Sequence, residues 1–290
     1  MPHAPTSETT HVSALAPLPT LGVGLGFREP FLTDLFLHPA AADFLEIVAD
    51  HYFDPTPEKS AELDLLAERF TLIPHGLDLS LGSADGLDAA YLEKFAQLIE
   101  RLDPPWWSEH LAFTRADGIA IGHLTPLPFT REAVEVFARN VATVRRRIAT
   151  PLILENITCS IQLPGAEMTE AAFVSAVLDA TDCGLLLDVT NLHTNCVNHR
   201  ADPLAALAQL PLDRVVQLHF TGGHTHDGEL IDSHSHPTPP EVWSLLEHVL
   251  RRAPVRGVIL ERDENLPPFA ELAAELARAR TLGRRHQRWA

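Results

Sequence analysis

Eight times between residues 21 and 280, a short run rich in Val, Ile and Leu is followed by a longer segment of helical period. This alternation constrains the fold more than any other feature of the chain, because strands covered on both faces by intervening helices form a parallel sheet. Strands are read at Leu21–Leu25, Phe44–Val48, Thr71–Pro74, Trp106–Glu109, Leu152–Glu155, Gly184–Asp188, Arg214–His219 and Gly257–Glu261. Helices are read near 31–38, 58–69, 88–102, 130–148, 169–180, 203–209, 239–252 and 267–280. Thr130 ahead of Glu132 and the pair Thr169-Glu170 are helix-start signals, and Pro203 and Pro239 suit first turns. Eight βα units in about 260 residues predict an α/β fold, a (β/α)₈ TIM barrel, with an open doubly wound sheet as the alternative. No Gly/Ser linker divides residues 21–280, which are read as one barrel domain. A Pro/Thr/Ser-rich tail at 1–20, expected to be disordered, precedes it, and a basic tail at 281–290 follows.

Charge and cysteine usage exclude whole classes of function. Lys and Arg number 22 against 39 Asp and Glu, a net charge of −17. Five arginines (Arg278, Arg280, Arg284, Arg285 and Arg288) crowd the end of the chain with no acid beside them, so the remainder is more acidic still. Such a body is a poor match to a phosphate backbone, and no nucleic-acid partner is expected. No apolar run approaches the roughly 20 residues that cross a bilayer, and the first 20 lack the pattern of a signal peptide, so no membrane partner is expected. Cys159, Cys183 and Cys196 form no CxxC pair and cannot build a disulfide framework, which points to a reducing cytoplasm. What remains to be explained is an acidic chain with 16 histidines.

The carboxyl end of each barrel strand is where such folds carry their active sites. Strand two ends near Glu46, with Asp50 and His51 beyond it; strand three meets His75; strand four ends at Glu109-His110; strand five at Glu155-Asn156. Strand six ends at Asp188, followed by Asn191 and His193; strand seven at His219; strand eight at Glu261. The stretch after strand seven adds His224, His226, Asp227, Asp232, His234 and His236. Asp232 and His234 are spaced so that an extended backbone would point both to one side. Carboxylates and imidazoles crowded out of water need compensating cations, so the ring is read as a metal site. Imidazole and carboxylate without thiolate suit Fe, Mn or Zn, and the donors exceed one ion's needs, implying two or three ions with bridging carboxylates. His226 and His236 are read as solvated or as partners of ligands, and His3, His11, His38, His199, His248 and His286 as bystanders.

A longer pattern joins these residues. The segments GVGLGFR (22–28), IPHGLDLSLGS (73–83), WWSEHLAF (106–113), PLPFT (126–130), LILENITC (152–159), CGLLLDVTNLHTN (183–195), VVQLHFTGGH (215–224), IDSHSHP (231–237) and ILERDENLP (259–267) resemble the multinuclear non-haem iron-dependent oxidative enzymes, the family of MbnB and TglH, formerly catalogued as a domain of unknown function. The resemblance spans about Leu21 to Arg280 and implies a barrel akin to xylose isomerase. It implies O₂-dependent oxidative modification of a ribosomally synthesised precursor peptide, typically at cysteine. The implied cofactor is two or three iron ions of mixed Fe(II)/Fe(III) state. The implied ligands are His75, His110, Glu155, Asp188, His219, Asp232, His234 and Glu261, with Asn191 at a position that is His in some relatives. A separately encoded partner protein that recognises the peptide is also implied.

The chain departs from the family pattern in places. Asp50-His51-Tyr52-Phe53 stands where Glu-Asn-Tyr-Phe is usual, Glu109 where Asp is usual, and Thr190 where Asn is usual. His193 stands where Tyr is common, and Phe220-Thr221-Gly222-Gly223-His224 where Leu-Ala-Gly-His is common. His51, Glu109, Asn156, His193 and His224 are therefore expected as further ligands or as partners of ligands. Two other functions remain open to the residues alone. One is a hydrolytic or isomerising barrel with two or three Zn or Mn ions; the other is a non-catalytic metal-binding protein using the His-rich 219–236 stretch.

Overall fold

Residues 18–161 and 163–290 are described by a computed structural model. His3, His11 and all but the last three residues of the expected 1–20 tail lie outside the described residues. In chain order the strands are β1 (Gly22–Gly26), β2 (Phe44–Val48), β3 (Thr71–His75), β4 (Trp107–His110), a hairpin of β5 (Ala112–Ala116) and β6 (Ile119–Pro126), β7 (Leu152–Glu155), β8 (Gly184–Asp188), β9 (Val215–Phe220), a second hairpin of β10 (Gly222–His226) and β11 (Glu229–His236), and β12 (Gly257–Leu260). The eight strands other than the hairpins close in the order β1-β12-β9-β8-β7-β4-β3-β2, every neighbour parallel. This is the (β/α)₈ TIM barrel expected, and each barrel strand begins and ends within one residue of its sequence reading.

The helices are α1 (Leu32–Leu37), α2 (Pro57–Arg69), α3 (Ala89–Leu102), α4 (Arg131–Arg145), α5 (Glu170–Thr181), α6 (Val189–Asn198), α7 (Pro203–Leu207), α8 (Pro240–Arg252) and α9 (Phe269–Arg285). Thr130 and Thr169 cap α4 and α5 by accepting from Ala133 N and Ala172 N, as their helix-start pattern predicts. Three features differ from the sequence reading. The stretches after β4 and β9 form antiparallel hairpins, which the sequence reading does not include. Helix α6 follows β8 with no intervening loop; its buried face includes Asn191, Thr194 and Asn195 beside Leu192 and Cys196, so it lacks the apolar contrast that marks a helix in sequence. Helix α9 continues to Arg285, five residues into the expected tail, and the Trp289 ring folds back against Gly283.

Alternation along the strands divides the barrel interior into two layers. Phe44, Ile73, Trp106, Ile153, Leu186, Val216 and Ile259 meet in a buried cluster at the floor, together with Leu18. Two residues further along the same face of their strands, Phe44 gives way to Glu46, Ile73 to His75, Ile153 to Glu155, Leu186 to Asp188 and Ile259 to Glu261. A second apolar core fills the space between the barrel and its helices, with Leu25, Leu45, Phe95, Phe137, Leu187 and Leu246 fully buried. The floor therefore excludes water beneath a polar layer that opens at the carboxyl ends of the strands.

Candidate metal centre

Parallel register sets the upper layer. It places His110 beside Glu155 and Asp188 beside His219. Three overlapping donor groups result: His75, His110 and Glu155; Glu155, Asp188 and His219; Asp188, His234 and Glu261, with the donor atoms in each group lying within 4.8 Å of one another. Glu155 and Asp188 each belong to two groups, so the three form a chain linked by carboxylates. The Nε2 atoms of His75 and His110 both lie 3.5 Å from Glu155 Oε2. His219 Nδ1 lies 3.3 Å from Glu155 Oε1 and 3.2 Å from Glu261 Oε2. His234 Nε2 lies 2.9 Å from Asp232 Oδ1, which brings Asp232 to the third group.

Several of these close approaches are not hydrogen bonds. Glu155 Oε2, Asp188 Oδ2, His219 Nδ1, Asp232 Oδ1 and His234 Nε2 are buried without a hydrogen-bond partner, although some lie within ion-pair distance of one another. Leaving one such atom unpaired costs roughly 1–3 kcal/mol, more when it is charged, so five together need a common cause. Convergence on shared cations is the arrangement that satisfies donors and acceptors at once, and the residues present fit a multinuclear metal centre.

The opposite nitrogen of each imidazole is held by the protein. His75 Nδ1 lies 2.8 Å from Ser108 Oγ, and His110 Nδ1 lies 3.1 Å from the Gly76 carbonyl and 3.3 Å from Glu109 Oε1. His219 Nε2 meets Glu46 Oε1 at 2.8 Å. The other oxygen of Glu46 accepts from Gln217 Nε2 at 2.6 Å, and Gln217 Oε1 accepts from Trp106 Nε1 at 2.9 Å. His234 Nδ1 lies 3.0 Å from Asp263 Oδ2, and Asp263 is in turn paired with Arg28. These contacts fix tautomer and ring orientation so that the free nitrogen faces the cluster. Ser108, Gln217, Asp263 and Arg28 were not singled out from sequence. Ser108 and Gln217 each sit two residues before a histidine on an inward face, so strand alternation carried a signal for both.

Charge in the cluster is strongly rearranged. Burial pulls the His110 imidazole down, but the carboxylates of Glu155, Glu109 and Glu261 outweigh it and hold it up at about 9. His219 and His234 are held well above the ordinary imidazole range against the same burial, by Glu46 and Glu155 and by Glu261, Asp232 and Asp263 respectively. Burial pushes Glu155 up, yet His219 and His110 bring it down to about 2. Asp188 goes the other way: burial, Asp232 and Glu155 push it up to about 7, only partly offset by His219 and His234. In the metal-free protein, protons therefore compensate the carboxylates, and binding of cations must displace them.

The remaining expected residues are distributed as follows. Asn191 lies at the cavity wall, but its Oδ1 accepts from Thr158 Oγ1 at 2.6 Å and its Nδ2 donates to Asn156 O at 3.0 Å. Asn156 holds Asp188 through both backbone groups, at 2.9 and 3.0 Å. Glu109 accepts from His110 N at 2.8 Å and Leu79 N at 3.2 Å. His51 is exposed in a 3₁₀ turn, His193 on α6 is pulled down by burial near Glu241 of α8, and His224 bonds Ser233 within the second hairpin. None of His51, Glu109, His193 and His224 falls in the three donor groups. His234 has φ of 50°, so the backbone between Asp232 and His234 is not the plain extended run expected; a left-handed turn aims the ring. A cavity of about 320 Å³ opens above the donors, walled by His123 and Leu124 of β6 and by Leu230 and Ile231 of β11.

Comparison with known proteins accords with this geometry. The family model for the RiPP precursor modification enzymes MbnB/TglH/ChrH matches residues 22–284. A UPF0276 protein of Rhizorhabdus wittichii is 38% identical over 268 residues, covering 91% of this chain and 96% of the relative. A UPF0276 protein of Streptomyces avermitilis is 40% identical over 280 residues, covering 94% of this chain, which spans 57% of that relative's length. Among solved structures, a D-psicose 3-epimerase superposes with a TM-score of 0.54 at 15% identity, over 92% of this chain and 100% of the epimerase, a likeness of the xylose isomerase-like barrel alone.

Proposed function

The chain belongs to the MbnB/TglH/ChrH family of RiPP precursor modification enzymes, and on that premise we propose that it carries out O₂-dependent oxidation of a ribosomally synthesised precursor peptide at cysteine, using a centre of two or three iron ions. The observation that carries this reading is the chain of three donor groups sharing Glu155 and Asp188 beneath an open cavity. His75, His110 and Glu155 would hold one ion; Glu155, Asp188 and His219 a second; Asp188, His234, Glu261 and Asp232 a third. The donor set suits iron, manganese or zinc, and the family's chemistry favours iron. When bound, iron supplies the one-electron chemistry with O₂ that side chains lack, and it lowers the proton affinity of a ligated thiol.

The protein's own share is positioning. Ser108, Glu46 and Asp263 keep three imidazoles turned toward the cluster, and the apolar floor excludes water from below. Residues of both hairpins line the cavity, and they would offer the surface over which a peptide enters. A separately encoded protein would bring the peptide, recognising a segment away from the modified residue. Three free thiols suit work in the cytoplasm, and among the described residues no helix is long and apolar enough to cross a membrane.

The test is co-expression with a candidate precursor peptide and recognition protein, then anaerobic purification, iron quantification, Mössbauer spectroscopy and peptide mass before and after exposure to O₂. Two or three irons per chain and a mass change that requires both O₂ and the peptide cysteine are expected. Stoichiometric zinc with O₂-independent turnover would point to a hydrolytic or isomerising barrel instead. A peptide mass unchanged under O₂ refutes the proposal.

A further inference from the structure

A second cavity of about 320 Å³ lies beside the metal cavity, and the chemistry above makes no use of it. Leu127, Phe129, Leu163 and Met168 give it apolar walls. The two cavities share one wall, the stretch that follows β7. Ile157, Thr158 and Ser160 line the metal cavity, whereas Cys159 and Ile161 line the second. Thr158 Oγ1 also lies 3.0 Å from Asp232 Oδ2, so the wall touches the metal centre directly.

Helix α6 fixes this wall. Asn195 Nδ2 donates to Ile157 O at 3.0 Å while its Oδ1 accepts from Cys159 N at 2.7 Å. His199, read from sequence as a bystander, places Nε2 at 2.6 Å from Cys159 O. Together with Asn191, these side chains recur every four residues on one face and act as a substitute strand edge for residues 156–159. A wall with its backbone groups satisfied in this way keeps the two cavities apart and open. Asn195 is committed to the backbone, so its amide is not free for an occupant, and burial pushes the Glu170 carboxyl at the cavity's edge up.

We propose that this cavity is a specificity subsite for an apolar side chain, of leucine or methionine size, on the precursor peptide two residues from the cysteine held at the metals. It rests on the peptide-modification reading. The spacing follows from the shared wall: one backbone is about 4.8 Å thick, and side chains at i and i+2 of an extended peptide stand on one face about 6.8 Å apart. A peptide crossing the wall can therefore lower one side chain on each side.

The test uses the full chain loaded anaerobically with ferrous iron, and calorimetry with two blocked pentapeptides, Leu-Gly-Cys-Gly-Leu and Asn-Gly-Cys-Gly-Asn. Leucine and asparagine have nearly the same shape, so the comparison isolates polarity. The leucine peptide should bind about tenfold more tightly or better. Ala166→Trp and Met168→Trp, which fill the cavity without touching a metal donor, should each abolish that preference with iron content unchanged. Equal affinities for the wild type, no binding of either peptide, or a preference that survives both fillings overturns the subsite. Serine in place of the peptide cysteine tests the metal-centre reading separately: it should weaken binding while leaving the leucine preference intact.

Discussion

Asp188→Asn separates two tasks of one side chain. In the wild type, Oδ1 accepts from Thr190 N at 2.6 Å and Asn191 N at 2.8 Å, capping α6, whereas Oδ2 is buried without a hydrogen-bond partner. Asparagine caps a helix about as well as aspartate, so the variant keeps the first task and loses the charge needed for the second. Burial, with Asp232 and Glu155, pushes this carboxyl from 3.8 up to about 7. The folded metal-free protein thus holds the proton more tightly than the unfolded chain. Its stability from this group is intact below pH 3.8 and declines as pH rises to about 7. At about 1.4 kcal/mol per pH unit, linkage makes the ionised residue cost roughly 4 kcal/mol by pH 8. Chelator-treated Asp188→Asn should therefore be more stable than wild type at pH 8, by up to that amount, with the gap closing toward pH 4. Ferrous iron at about a thousand times its dissociation constant should close that gap, adding about 4.1 kcal/mol to the wild type and little to the variant. Urea denaturation followed by tryptophan fluorescence, with and without iron, reads both effects. A variant less stable than metal-free wild type at pH 8, or equal stabilisation of both by iron, would refute the reasoning.

Other perturbations probe the supporting structure. Gln217→Leu removes the amide that links Trp106 to Glu46 behind His219, and iron affinity should fall about 10- to 100-fold in a chelator competition while the far-ultraviolet spectrum is unchanged. Gly223→Ala places a methyl group onto the Ile231 carbonyl in the second hairpin, so it should displace Asp232 and His234 and lower iron stoichiometry without global unfolding. Asn195→Ala removes two buried hydrogen bonds and should cost about 2 kcal/mol in denaturant titration. Burial pushes the Cys159 thiol up to about 12 and Cys196 to about 11, so both should alkylate far more slowly at pH 8 than in urea, as mass spectrometry will show.

Much of this molecule is legible in one dimension. Strand positions and the rim residues His75, His110, Glu155, Asp188, His219 and Glu261 follow from a period of two and a βα alternation, both properties of consecutive residues. The sequence also brackets the metal through its donor types, since imidazole and carboxylate without thiolate admit few ions. Helix α6 escaped because its polar face is buried against other polar groups, and the hairpins because most of their residues are exposed or half-buried; both erase the hydropathy contrast on which periodicity depends. Only the tertiary structure decided which carboxylates are shared between donor groups, which nitrogen of each histidine is free, and that Arg28 reaches Asp263 across 235 residues of chain. Those outcomes are set by strand register and through-space electrostatics, and no spacing along the chain encodes either.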